Sequence, residues 1–432
     1  MTDFIVFFSV FVTSLLVGSL FISRPTLVMS SEHMLRDVNA PQAQHTRPTP
    51  RVGGVGVIIA LGLGCLYYRP ELENDLLLAL AAGVFVFWAG LHEDIFRNVS
   101  PRKRFIAAFF SAGAAIVLTG HIVPDLGLFE GSLSKWVFPA VLITLLWSAG
   151  TCHALNLIDG LNGLSSLYCV CASAGFFVIA GHTGDTDIQI LAGLLLAAIL
   201  GFFVLNWPFG LIFLGDAGAY GIGHILAWIS IILVARNPDV AGLAVLLLLF
   251  WPVCDTLFSI IRRRVTKRPT GLPDRLHFHH LAVRTLRMVR RRRGRFDNPI
   301  ASILLLPLIA FPIFTGVALW DQAEIAAFAL AVFIFLFMAT YVFTAKLFAA
   351  RRISGMGSLL AAPLRRRGKR KLTSPLSGTY VQNETALEVQ IFREHSKELW
   401  NLNVFASGTG DVTYAGQFKS DTEAFRYFLE AA

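Results

Sequence analysis

The polar residues of this chain are crowded into short stretches between long apolar runs. Windows of roughly 20 residues with hardly a charge predict about eleven helices able to cross a membrane. They lie at residues 4–22, 52–68, 74–91, 104–119, 136–152, 164–181, 188–205, 212–234, 240–261, 299–319 and 325–349. These runs have no polar face, so a water-exposed amphipathic bundle is excluded. The expected fold is an all-α polytopic membrane protein, with some spans short enough to need tilt or a thinned bilayer. The first run has neither a basic leader nor a small-residue cleavage site, and reads as a retained helix.

Charge orients the bundle. With the N-terminus outside, the outer loops hold only Arg69, Lys135 and Arg236, and the other 34 of the 37 basic residues fall on the opposite side. The positive-inside rule therefore places the N-terminus outside and the C-terminus in the cytoplasm. The net charge of +9 then belongs to loops facing anionic headgroups, and no nucleic-acid partner is expected. The five cysteines show no metal spacing and receive no role. Residues 1–350 form the expected membrane domain, 351–376 a basic linker, and 377–432 a small cytoplasmic α+β module. Strands are expected at Glu388–Phe392, Asn401–Phe405 and Val412–Tyr414, and Ser420-Asp421-Thr422-Glu423 fits a capping box that starts a helix.

Four polar islands fall on the predicted cytoplasmic side. Asp216, in Leu214-Gly215-Asp216-Ala217-Gly218, opens the eighth span, where a carboxylate is costly unless paired, hydrated or metal-bound. His92-Glu93-Asp94 ends the third span; of Glu93 and Asp94, about 100° apart on a helix, one should face the site, and which one stays open. Asn156, Asp159 and Asn162, spaced by three, should share one face of a helical turn ahead of the sixth span. The N-termini of the sixth and eighth spans would offer free N–H groups to an anion, though a plain helix cap accounts for each stretch alone. Together they would suit a diphosphate bridged by a hard cation such as Mg²⁺.

Arg51, just before Gly53-Gly54, and Arg104 are candidate phosphate contacts, although headgroup anchoring accounts for at least one residue of Arg102-Lys103-Arg104. Phe213 offers an aromatic face for stacking a base. His277, His279 and His280 lack the further ligands of a zinc site and fit phosphate or sugar hydroxyls better. The Arg290–Arg293 run reads as a membrane-surface patch. Ionisable residues are scarce in the span middles, His224 being the main oddity, which counts against a transport pathway.

Taken in order, HTRPTPRVGG, GLHEDIFRNVSPRKR, NLIDGLNGL, FLGDAGAYG, WPVCDT with Asp255, and DRLHFHHL resemble the polyprenyl-phosphate N-acetylhexosamine-1-phosphate transferases, glycosyltransferase family 4. The likeness covers residues 4–349. The His-x-His-His form resembles the branch that uses UDP-GlcNAc and undecaprenyl phosphate, and differs from the His-His-His-Tyr-Glu pattern of the phospho-MurNAc-pentapeptide branch. The resemblance implies a multi-pass enzyme of the inner membrane with its site on the cytoplasmic face. It would move an N-acetylhexosamine-1-phosphate, by default GlcNAc-1-phosphate, from a UDP-N-acetylhexosamine to undecaprenyl phosphate and release UMP, as the first membrane step of a cell-envelope polysaccharide such as lipopolysaccharide. Lipid I synthesis and, from another class, membrane transport are the alternatives; membrane lipid is a partner, and a homodimer is left open.

The same resemblance implies Mg²⁺, with Mn²⁺ as a substitute, at Asp216, and makes Asp94 an acceptor base or metal-site carboxylate. Glu93 stands where the family usually has a second aspartate, Asn162 where it often has Asp, and His153 where it often has Asn. Asn156 and Asp159 would shape the nucleotide and diphosphate pocket, with Asn162 able to hydrogen-bond uracil. Phe213 would stack on uracil, and His277, His279 and His280 would contact the sugar phosphate.

Overall fold

A computed structural model describes residues 2–27, 49–124, 136–267, 276–290, 294, 296–361, 372–373, 376–382, 385–393, 399–406 and 412–425. His45 to Pro48, Asp274, Arg275 and Arg291 to Arg293 lie outside these residues, as do 362–371 and 374–375 of the expected linker, whose first part, 351–361, instead continues a helix. The chain divides into two compact units, Met1–Ile353 and Ser354–Ala432.

The first unit is helical: α1 (Thr2–Ser23), α2 (Gly53–Tyr67), α3 (Asn74–Ala82), α4 (Val84–Phe96), α5 (Pro101–Thr119), α6 (Val137–Ile158) and α7 (Leu164–Thr183). There follow α8 (Thr186–Asn206), α9 (Gly215–Arg236), α10 (Gly242–Leu248), α11 (Phe250–Val265), α12 (Phe278–Arg290), α13 (Asp297–Ala318) and α14 (Ala323–Ala361). Among the described residues, eight helical stretches are long and apolar enough to cross a membrane, or nine if α10 and α11, bent by 83° across Leu249, form one span. The other two expected windows, at α2 and α5, are not among these. Helix α2 has only 15 residues, and α5 carries Arg102, Lys103 and Arg104 in its first turn.

Helix α9 is the axis. Every residue from Gly215 to Val234 is buried, and it packs against α2, α4 and α6. Its 22 residues rise about 33 Å, close to the thickness of a hydrocarbon core. A single helix therefore connects two charged ends. At its C-terminus, Arg236 donates to both oxygens of Asp187 (3.0 and 2.9 Å), to Asp75 (2.6 Å) and to Glu73 (3.1 Å). A cation there opposes the negative helix end. At its N-terminus lies Asp216.

His224, conspicuous in the sequence, belongs to a repair of the neighbouring span. Helices α3 and α4 are broken at Gly83, whose N–H turns to Leu80 O (3.0 Å) and so leaves Ala79 O without its helical donor. The fully buried His224 supplies Nε2 to that carbonyl at 2.9 Å. Gly83 is needed for the approach, since a Cβ there would come within 2.7 Å of the imidazole.

The second unit holds an antiparallel sheet of β1 (Leu372–Thr373), β2 (Gly378–Gln382), β3 (Thr385–Arg393), β4 (Trp400–Ala406) and β5 (Val412–Phe418). Strands β3, β4 and β5 are adjacent in order, and β1 and β2 both pair with β3. Val389, Ile391, Leu402 and Val404, at alternating positions, bury one face with Ala424. Ser420 caps the following helical turn, accepting from Glu423 N–H at 3.1 Å.

Replacing His224 with Leu should lower the thermal midpoint of the detergent-solubilised protein. The unpaired Ala79 carbonyl would cost on the order of 1–3 kcal/mol; an unchanged midpoint would remove the imidazole from this account.

Candidate active site

Backbone pairing builds the site before any side chain enters it. The segment ahead of α2 lies alongside the segment ahead of α9: Phe213 N–H donates to Pro50 O, Gly53 N–H to Phe213 O and Gly54 N–H to Leu214 O, each at 2.9 Å. Gly215 turns the chain into α9 with φ of 77°. A Cβ there would run into the Arg51 carbonyl and Asp94 Oδ2, so glycine is required on grounds of both conformation and space. Arg51, Asp94 and Asp216 are thereby drawn together from positions far apart in the chain.

Asp94 is almost wholly buried, at 1% exposure. Its Oδ1 accepts from Asp216 N–H at 2.9 Å and its Oδ2 from Ala217 N–H at 2.8 Å. The residue in the ordinary capping position, Leu214, offers no side-chain acceptor. The end of α4 thus caps α9 in trans, and the α9 amides expected to bind an anion are already occupied by a carboxylate. This also settles which of the adjacent acids faces inward. Glu93 instead accepts from Val99 N–H at 2.8 Å and ties down the α4–α5 loop.

Asp216 is 5% exposed and engaged on both oxygens. Oδ1 accepts from Asn156 Nδ2 at 2.9 Å and Arg51 Nη2 at 3.3 Å, and Oδ2 is paired with Arg104 Nη1. Arg51 also reaches Asp94 at 4.0 Å. The Arg104 guanidinium lies 5.9 Å from the Tyr220 ring centroid, whose hydroxyl meets His153 Nδ1 at 3.1 Å. Pairing of this kind makes a buried carboxylate tolerable in an apolar bundle.

The Asn-Leu-Ile-Asp-Gly stretch departs from the expected single helical face. Helix α6 stops at Ile158, so Asn156 is helical while Asp159 and Asn162 sit on the turn that follows. Asp159 Oδ1 accepts from Ser165 Oγ at 2.5 Å. Burial pushes its carboxyl above the ordinary carboxylate range, opposed by the Ser165 hydrogen bond and the nearby Arg51 charge. Asn162 donates its amide to Pro208 O (3.1 Å) and its N–H to Asn298 Oδ1 (2.7 Å). At the start of α7, Gly163 N–H donates to Asn206 Oδ1 at 2.6 Å, so this amide is also taken. The two helix N-termini expected to be free for an anion therefore have protein acceptors on these leading amides, and among the described residues Arg51 and Arg104 are the cations bonded to Asp216.

The histidine loop meets the same turn. A Cβ on Gly160 would come within 2.5 Å of His279 Nε2, and the His277 and His279 rings stack with centroids 5.8 Å apart. Burial, reinforced by the neighbouring His280 and His277, pushes His279 well below its usual pKa and keeps it neutral. Phe213 is partly buried beside the Arg51 segment. Sequence reasoning gave no role to Asn206, Asp255, Asn298 or Ser302, which latch these loops. The available signal was a polar side chain inside or at the edge of an apolar run, as for Asp255 in WPVCDT.

A bundle of membrane-length helices with a buried acid–base cluster at one end points to a polytopic membrane protein. Residues 76–234 match the model of glycosyl transferase family 4. The chain is 30% identical over 243 residues to a probable undecaprenyl-phosphate N-acetylglucosaminyl 1-phosphate transferase of Bacillus subtilis (strain 168), covering 55% of this chain and 66% of that protein. It is 31% identical over 252 residues to a phospho-N-acetylmuramoyl-pentapeptide-transferase of Streptococcus pyogenes serotype M6, covering 54% and 74%. A decaprenyl-phosphate N-acetylglucosaminephosphotransferase of Mycobacterium tuberculosis (strain CDC 1551 / Oshkosh) is 28% identical over 268 residues, covering 55% and 66%. The chain belongs to glycosyltransferase family 4.

Asp94→Ala should lower the thermal midpoint in detergent more than Glu93→Ala, because it strips two buried amides of their acceptor where a single lost cap typically costs about 1 kcal/mol. Equal shifts for the two variants would remove the trans cap from the account of α9.

Proposed function

We propose that the protein transfers an N-acetylhexosamine-1-phosphate, with GlcNAc-1-phosphate as the default, from a UDP-sugar to undecaprenyl phosphate on the cytoplasmic face of the inner membrane. The observation that carries this reading is the buried Asp216, held by Arg51, Arg104 and Asn156 at the end of a bundle whose relatives are sugar-1-phosphate transferases. The His277-Phe278-His279-His280 form favours this reading over lipid I synthesis. The product would open assembly of a cell-envelope polysaccharide.

In the reaction, a phosphate oxygen of the lipid forms a bond to the β-phosphorus of the donor. The bond from that phosphorus to the bridging oxygen breaks, and UMP leaves with the oxygen. The acceptor is already largely ionised near neutrality, its second pKa being about 6. Positioning and charge neutralisation therefore matter more than a strong base, and the reaction does not need Asp94 to leave its cap. Arg51 and Arg104 hold the diphosphate once it competes with Asp216 for their guanidinium groups. Phe213 takes the uracil, Asn156 and Asp159 line the nucleotide side with Asn162 behind them, and the three histidines take the sugar phosphate.

The donor set suits Mg²⁺. Among the described residues no three acidic, His or Cys side chains gather as a cage, whereas Mg²⁺ is commonly held by one or two carboxylates plus substrate phosphates. Asp216 would hold it, with Mn²⁺ as a substitute. When bound, the ion would neutralise charge on the diphosphate oxygens.

Three measurements test the reading. UMP release by the purified protein should require both a UDP-N-acetylhexosamine and undecaprenyl phosphate, and a donor panel should identify the sugar; release with neither dependence would refute it. Asp216→Asn should lower turnover at least about a hundredfold in a folded protein, and near-normal turnover at saturating Mg²⁺ would sink the metal assignment. Phe213→Ala should raise the KM for the UDP-sugar; an unchanged value would place that ring outside the nucleotide pocket.

A further inference from the structure

Asp255 is a buried carboxylate that the proposed mechanism leaves unused. It sits on α11 at 1% exposure, directly beneath the histidine loop. Its Oδ2 meets His277 Nδ1 at 2.9 Å, and its Oδ1 accepts from Phe278 N–H at 3.1 Å. An ionised carboxylate can only accept, so the proton of this pair lies on Nδ1. The second bond, from the Phe278 backbone, fixes the carboxylate, so that its Oδ2 is held at the His277 ring.

The rest of α11 holds the loop in place. Arg262, two turns beyond Asp255, donates Nη1 to Leu276 O at 2.7 Å, and Tyr341 of α14 donates its hydroxyl to the same carbonyl at 2.8 Å. On the other side His277 stacks on His279, which lies against the Gly160 turn next to Asp159. Among the described residues, the charged and titratable groups around His277 include Asp255 and Arg262 from α11, Tyr341 from α14, and His279 and His280 from α12. Nε2 of His277 has no hydrogen-bond partner among the described residues.

We propose that Asp255 is a positioning residue: it holds His277 in the Nδ1-protonated form and aims Nε2 at the sugar phosphate of the donor. Asp255 itself touches no substrate and acts through the imidazole. Partners of this kind set the tautomer and basicity of a functional histidine. The inference rests on the transferase reading for its ligand, but not for the pairing itself.

The test has two arms. In protein labelled with ¹⁵N-histidine, without substrate, the His277 resonance, assigned through its loss in His277→Gln, should show a protonated Nδ1, and Asp255→Asn should shift that signature. In UMP-release kinetics, Asp255→Asn should lower kcat roughly tenfold to a hundredfold, with the KM for the UDP-sugar changed less than about threefold. Asp255→Glu should recover part of the loss, and Asp255→Asn in a His277→Gln background should cost nothing further. A His277 signature unmoved by Asp255→Asn overturns the pairing, and multiplicative losses in the double variant overturn the action through His277. An enzyme with no sugar-1-phosphate transfer at all would refute the transferase reading, while the resonance arm would still decide the pairing.

Discussion

A helix buried along its whole length must find acceptors for its first amides inside the protein, because water does not reach them. In α9 that demand falls on Asp94, which crosses from the end of α4 to accept from Asp216 N–H and Ala217 N–H. Much of the site geometry follows from this contact. It fixes the entry angle of α9, draws the Arg51 segment against Gly215, and leaves the Asp216 side chain on the outer side of the capped turn. Gly90 allows the approach, since a Cβ there would meet the Asp216 and Ala217 backbone.

The cap also decides how the site handles anions. Sequence reasoning assigned that task to free helix N-termini, but the leading amides of α9 donate to Asp94 and that of Gly163 donates to Asn206. On the proposed reading phosphate recognition passes to side chains, with Arg51 and Arg104 already paired to Asp216. Guanidinium groups are suited to this, because their planar donors match phosphate oxygens and their weaker hydration lowers the cost of burial.

Much of the fold was legible because a lipid environment imposes it. Twenty apolar residues without a polar face can only be a buried or spanning helix, and Arg and Lys bias the orientation. The gathering of Asp94, Asn156 and Asp216 at one end of the bundle agrees with the order of spans counted along the chain. What hydropathy could not show was the break at Gly83 and the bend at Leu249, since both leave the apolar run unbroken. Nor could spacing locate the end of α6 at Ile158, three residues into a pattern that continues as if helical. The polar latches were hidden for a different reason: Asn206, Asp255 and Asn298 have partners distant in sequence, and a lone polar residue does not announce its partner.

Asp216 has two oxygens and already satisfies two arginines and an amide. If that carboxylate also takes a divalent ion during turnover, the ion and the guanidinium groups compete for it directly. On the proposed reading a diphosphate would resolve the competition, because it would offer Arg51 and Arg104 another anion and the ion further oxygen ligands. Binding of donor and binding of ion are then linked, and the linkage is reciprocal: whatever factor the diphosphate adds to the affinity for the ion, the ion adds to the affinity for the diphosphate. On the proposed reading, Asp216 stays paired with Arg51 and Arg104 until the substrate arrives, which is how a membrane bundle could tolerate this buried aspartate and still use it in phosphoryl transfer.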